Sequence, residues 1–249
     1  MFKKWQYILI FGLVVLLLLH KLAYQSIRNG VNRRTGDTTL DIKSFITPTN
    51  SDVKDLVVNI TQSQTNSSDF SEYRTGLMKM YFWVSNGIDY NFDGMYPTLP
   101  LNPFEPIDWN HDSWQYPTET IALKRGDCED QAILLCSMFR CFSNGTKPTE
   151  CIVINGNIAS HVAVQVSFSD RRLIIFDPTN NYFSQDDEGN LTFFKIDFTF
   201  NAYFYKLEST MGDSVYVSRI FSDYLDMSFS STSEYQNWMS NRTWINDDW

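Results

Sequence analysis

Histidine and cysteine are scarce in this chain, with three of the first and four of the second in 249 residues. The cysteines form no CxxC pair, which argues against a zinc site, and neither a glycine-rich phosphate loop nor an internal repeat is present. Basic charge is short beyond the N-terminus. Lys3, Lys4, Lys21, Arg28, Arg33 and Arg34 all precede the first acidic residue, Asp37; after them 14 basic residues face 29 acidic ones, a net of −15. So acidic a body repels phosphate backbones, which excludes nucleic acid as a partner, and the basic end belongs beside a membrane.

Apolar residues are plentiful. At 43% hydrophobic and 16% aromatic the chain is too apolar for disorder, and its length accommodates one globular domain plus an anchor. Trp5 to Leu19 is a nearly unbroken apolar run; continued to Tyr24, with Lys21 snorkelling, it reaches the roughly 20 residues that span a bilayer. A cleaved signal peptide has a shorter core and a small-x-small site, which Leu22-Ala23-Tyr24-Gln25-Ser26 supplies poorly, so residues 1–24 read as a transmembrane anchor. Basic residues on both flanks leave its orientation open. Asn-x-Ser/Thr sequons at Asn59, Asn66, Asn144, Asn190 and Asn241 fit a glycosylated, extracytoplasmic domain, although such tripeptides also arise by chance in an Asn/Ser/Thr-rich chain.

Residues 25–68 are polar with short apolar runs and read as a stalk, followed by a domain over 69–210 and an aromatic extension over 211–249 that covers the core. Phe70, Tyr73, Leu77, Met80, Tyr81, Val84 and Ile88 recur at helical spacing, predicting a helix from Ser71 to about Ser85. Asp89 to Thr118, with five prolines, reads as a long loop. A buried helix begins near Cys128, and the period then turns strand-like over 151–154, 159–168, 173–176 and 191–196. One helix followed by hairpin-linked strands predicts an α+β fold with an antiparallel sheet.

The chemistry concentrates at Gly126-Asp127-Cys128-Glu129-Asp130. A thiol at a helix N-terminus faces unpaired N–H groups and the positive end of the helix dipole, which lower its pKa, and Gly126 allows a sharp turn into that helix. Cys136 and Cys141 lie among apolar neighbours and read as buried thiols, while Cys141 and Cys151 are candidates for a disulfide. The thiolate needs a base. His20 is at the membrane edge and His111 in the proline-rich loop, whereas His161 sits on a predicted strand that would hold its ring rigidly. Asp177 ends the strand Leu173-Ile174-Ile175-Phe176, and hairpin pairing brings it beside His161 as an orienting carboxylate. Asp127, Glu129 and Asp130 offer hard oxygens to a calcium ion, or equally are three acids placed favourably at a helix start.

Trp114-Gln115-Tyr116-Pro117-Thr118-Glu119-Thr120, Gly126-Asp127-Cys128-Glu129-Asp130-Gln131-Ala132, Ser160-His161-Val162 and Phe176-Asp177-Pro178-Thr179 together resemble the transglutaminase-like superfamily, most strongly its microbial cysteine peptidase branch. The resemblance covers roughly residues 71–196 and implies a papain-like fold with Cys128 as nucleophile, His161 as general base then acid, and Asp177 as orienter. It implies an oxyanion hole completed by Gln115 or Trp114, and some members of the branch bind calcium beside the nucleophile. A membrane-anchored peptidase acting on protein or peptide amides is the leading expectation. A crosslinking transglutaminase, a peptide N-glycanase-like amidase and an inactive surface domain that binds peptide or glycan are the alternatives.

Overall fold

The computed structural model describes residues 4–35, 42–62, 70–168 and 171–242; Asn66, Trp244 and Trp249 lie outside them. In chain order the helices are α1 (Lys4–Asn32), α2 (Ser51–Thr61), α3 (Phe70–Gly87), α4 (Pro117–Leu123), α5 (Cys128–Phe142), α6 (Ile196–Met211) and α7 (Thr232–Asn241). The strands are β1 (Asp89–Tyr90), β2 (Tyr96–Thr98), β3 (Asp108–Asn110), β4 (Arg125–Gly126), β5 (Thr149–Asn155), β6 (Ser160–Ser167), β7 (Arg172–Asp177), β8 (Tyr182–Phe183), β9 (Phe194–Lys195), β10 (Tyr216–Phe221) and β11 (Asp226–Ser228). They fall into two units. One is Met1–Asp41 with Asp93–Trp114, the other Ile42–Phe92 with Gln115–Trp249.

In the first unit, α1 is long and apolar enough to cross a membrane, with mean hydropathy 1.8. It continues past the expected limit at residue 24, since no proline interrupts Gln25 to Asn32. Its C-terminal half holds part of the proline-rich segment. Asn32 exchanges two hydrogen bonds with the Leu99 backbone, at 2.9 and 2.7 Å, and the Tyr24 hydroxyl donates to Pro100 O at 2.7 Å. That segment folds as an antiparallel hairpin of β2 and β3, a local order that its prolines concealed in the sequence.

The second unit is built on α5, in which every residue from Glu129 to Phe142 is buried. A helix with no exposed face must be covered on several sides. One cover is α3, through the predicted stripe of Tyr73, Leu77, Met80, Tyr81 and Val84. Another is α2, which corrects the reading of residues 25–68 as a stalk. Ile42, Phe45, Ile46, Val53 and Val57 are buried, the Phe45 ring stacks on Tyr116 at 4.8 Å, and the Thr47 N–H donates to Ser137 Oγ. Short apolar runs at helical spacing sufficed for a one-sided helix capped by Asn50.

The main sheet has the order β11-β10-β5-β6-β7-β8, with β9 also on β7, and all its pairs are antiparallel as expected. Strand alternation sorts its two faces. Phe176 meets Phe139 of α5, whereas Leu173, Ile175, Ile154 and Ala163 join Phe200, Tyr203 and Tyr235 of α6 and α7. The expected strand at 191–196 is only β9, because the chain turns into α6 at Ile196. The extension beyond 210 does more than cover the core, since β10 enters the sheet beside β5. All four cysteines are free thiols, so the Cys141–Cys151 disulfide is absent.

A buried polar cluster locks that extension in place. The Glu150 carboxylate is fully buried and accepts from Tyr224 Oη, Arg242 (2.7 Å) and Gln165 (3.0 Å), while Tyr235 Oη donates to Gln165 Oε1 at 2.6 Å. Removing one partner of a buried ion pair leaves the other charge uncompensated. Arg242→Ala is therefore expected to lower stability by about 3–5 kcal/mol in urea denaturation of the detergent-solubilised chain. Arg242→Ala combined with Glu150→Gln should recover part of that loss. A loss below about 1 kcal/mol would show that the pair is not the lock.

Candidate active site

Cys128 opens α5, Asp127 is its N-cap residue, and Gly126 lies on β4 against Asn91 and Gln131. The need for glycine differs from the expectation of a sharp turn. Gly126 is not in the left-handed region; instead, a Cβ there would stand 2.6 Å from Asp130 Cβ, so close approach excludes any larger residue. Asp130 is held in that place by the Gln115 N–H, which donates to its Oδ1 at 2.7 Å.

The sulfur of Cys128 lies 3.2 Å from Glu129 Oε2, to which the thiol donates. Burial pushes the thiol well above its ordinary pKa, the carboxylates of Glu129 and Asp127 push it further, and the Val162 N–H pulls it back. This corrects the expectation of a thiolate favoured by the helix dipole.

His161 Nε2 stands 2.9 Å from Asp177 Oδ2. The two were expected side by side on adjacent antiparallel strands. The Val164↔Phe176 register, extended by one residue, puts Asp177 beside Ala163, so His161 reaches it diagonally on the same face. Asp177 is fully buried and receives a dense set of donors. Tyr203 Oη donates to Oδ2 at 2.7 Å, Asn180 Nδ2 to Oδ2 at 2.7 Å, Thr179 Oγ1 to Oδ1 at 2.9 Å and the Asn180 N–H to Oδ1 at 3.1 Å. Burial alone would raise this carboxyl's pKa, but the His161 charge and these hydrogen bonds outweigh it and bring it to about 2. An ionised Asp177 requires His161 Nε2 to carry the proton it donates. Nδ1 is then the nitrogen of the neutral ring that accepts one. Asn180 Nδ2 also approaches Nε2, at 3.2 Å, but a protonated Nε2 cannot accept from it, so that amide serves Asp177.

The other candidates are dispersed. Gln115 joins the nucleophile helix through its backbone, and its side-chain oxygen is 3.5 Å from Thr120 Oγ1. Trp114 belongs to the first unit, where its indole donates to Asp112 Oδ1 at 3.0 Å. Of the calcium candidates, Asp127 and Glu129 bring carboxylate oxygens within 4.8 Å of each other, whereas Asp130 faces Gln115. The described sequon residues Asn59, Asn144, Asn190 and Asn241 are all exposed. Asn180 and Tyr203 escaped the sequence reading. Asn180 follows the Asp-Pro turn and was within reach of it, whereas nothing in the sequence near Tyr203 announces its bond to a residue 26 positions earlier.

No protein-family model matches the chain, and no curated protein matches it. The mixed α/β fold has likenesses among solved structures. Legionella pneumophila LapG is 14% identical, with 78% of this chain and 97% of that one covered and a TM-score of 0.44; its EGTA-treated form gives a TM-score of 0.41 at the same identity and coverage. A candidate cysteine protease from Cytophaga hutchinsonii is 17% identical over 64% of this chain, with a TM-score of 0.36, and this chain spans about half (48%) of its length.

Two outcomes follow from the geometry. Glu129→Gln removes the anion that holds the thiol protonated, so iodoacetamide should modify Cys128 faster at neutral pH in this variant, read by peptide mass mapping; an unchanged rate would contradict the contact. Asp177, titrating near 2 in the fold against roughly 3.9 when unfolded, contributes stability that is complete above about pH 4 and is lost as the pH falls through 2. The stability difference between wild type and Asp177→Asn, followed by urea denaturation, should shrink over that window and stay constant above it.

Proposed function

We propose that this protein is a membrane-anchored cysteine peptidase that cleaves protein or peptide amide bonds through Cys128, His161 and Asp177. The observation that carries the reading is the His161 Nε2–Asp177 Oδ2 bond at 2.9 Å, on the strand that packs against the helix Cys128 opens. Asp177 holds the ring in the tautomer that leaves Nδ1 to take the thiol proton. The sulfur then attacks the substrate carbonyl, and the Cys128 N–H at the start of α5 receives the developing oxyanion. Imidazolium returns the proton to the leaving amine as the C–N bond breaks. Water, deprotonated by the same ring, cleaves the thioester and frees the thiol. No step requires a metal ion, and α1 supplies the anchor.

Incubating the detergent-solubilised chain with casein, with and without a primary amine and calcium, separates the outcomes. Peptide fragments support hydrolysis, and incorporation of the amine in their place would make the enzyme a crosslinking transferase. Binding of casein with neither product would make the groove a recognition surface. Cys128→Ala should abolish either product, and Asp177→Ala should lower the rate by about 10²–10⁴-fold.

A further inference from the structure

We infer that the tip of the β2–β3 hairpin is a second membrane contact, resting in the lipid headgroup layer beside the helix that spans it. The inference rests on the reading of α1 as a transmembrane anchor and concerns the first unit alone. The tip, residues 99–107, is apolar and unusually exposed. Phe104 is 93% exposed and Leu101 74%, Ile107 is about half exposed, and so is Trp109 next to the tip on β3. Large apolar side chains grouped on one turn, with prolines at 100, 103 and 106 to keep it stiff, are costly in water and mark a contact surface.

The occupant follows from what the tip is fastened to. Tyr24 Oη, Arg28 Nε and Asn32 Nδ2 of α1 donate to the carbonyls of Pro100 and Leu99, and Leu99 N–H returns a bond to Asn32. Leu101, Asn102 and Pro103 share a cleft of about 360 Å³ with Leu17, His20, Lys21 and Tyr24. At 1.5 Å per residue, a hydrocarbon layer of about 30 Å that begins near Trp5 ends near Tyr24. The hairpin tip is thus level with the last two turns of the span, where the bilayer meets water. Its composition suits that depth, since aromatic and aliphatic side chains mix there with Lys21 and Arg28, whose charges reach lipid phosphates. Glu105 on the same tip keeps it at the headgroups and out of the hydrocarbon.

The test uses the full chain in phosphatidylcholine nanodiscs, in a Cys128→Ala background, where the other three cysteines are buried. Phe104→Cys and, separately, Leu13→Cys carry an environment-sensitive fluorophore. Quenching of both by lipids spin-labelled near the headgroup or along the acyl chain, with blue-shifted emission at 104, is the expected result. Quenching at 13 with none at 104, where aqueous iodide still quenches, would overturn the hairpin contact and leave the anchor standing. A blue shift at 104 without lipid quenching would identify a protein occupant, such as a second copy of this chain, and would also overturn the proposal. Quenching at neither position would remove the anchor and the hairpin contact together.

Discussion

A single buried carboxylate sets the terms for the rest of the site. Asp177 is fully buried yet ionised, with a pKa of about 2, and such a charge is tolerable only when donors surround it. Those donors come from three parts of the fold: His161 from β6, Thr179 and Asn180 from the turn after β7, and Tyr203 from α6. The same requirement that satisfies the charge fixes the imidazole tautomer and seats α6 against the sheet. Stability and chemistry therefore rest on one set of hydrogen bonds here.

Cys128 is governed by different forces. Burial and Glu129 push the Cys128 thiol up, in opposition to the helix dipole at the start of α5. Under the proposed mechanism His161 removes the thiol proton as attack begins.

The sequence made the candidate site legible because so few residues could serve. With three histidines in the chain, one of them on α1 and one in a loop, His161 stood out, and Asp177 at a strand end followed from hairpin logic. What stayed hidden was what depends on distance in the fold. Tyr203 reaches Asp177 from a segment with no motif, and Gly126 is required by the side chain of Asp130, whose position pairing alone does not reveal. The reading of residues 42–61 as a linker failed for a related reason. Two buried valines and a few neighbours make a weak periodic signal, and only packing against α5 shows their use. The extension beyond residue 210 likewise carried no sign that β10 would lie inside the sheet, because strand order is a property of the whole chain.

The scarcity of histidine also makes the central claim directly measurable. In ¹⁵N-histidine-labelled protein the His161 signal can be assigned by comparison with His161→Gln, and the ring tautomer read from its nitrogen shifts. The account predicts a neutral ring with the proton on Nε2, hydrogen-bonded to Asp177, and a mixture of tautomers in Asp177→Asn. A ring protonated on Nδ1 in the wild type would leave the thiol without a base and contradict the account.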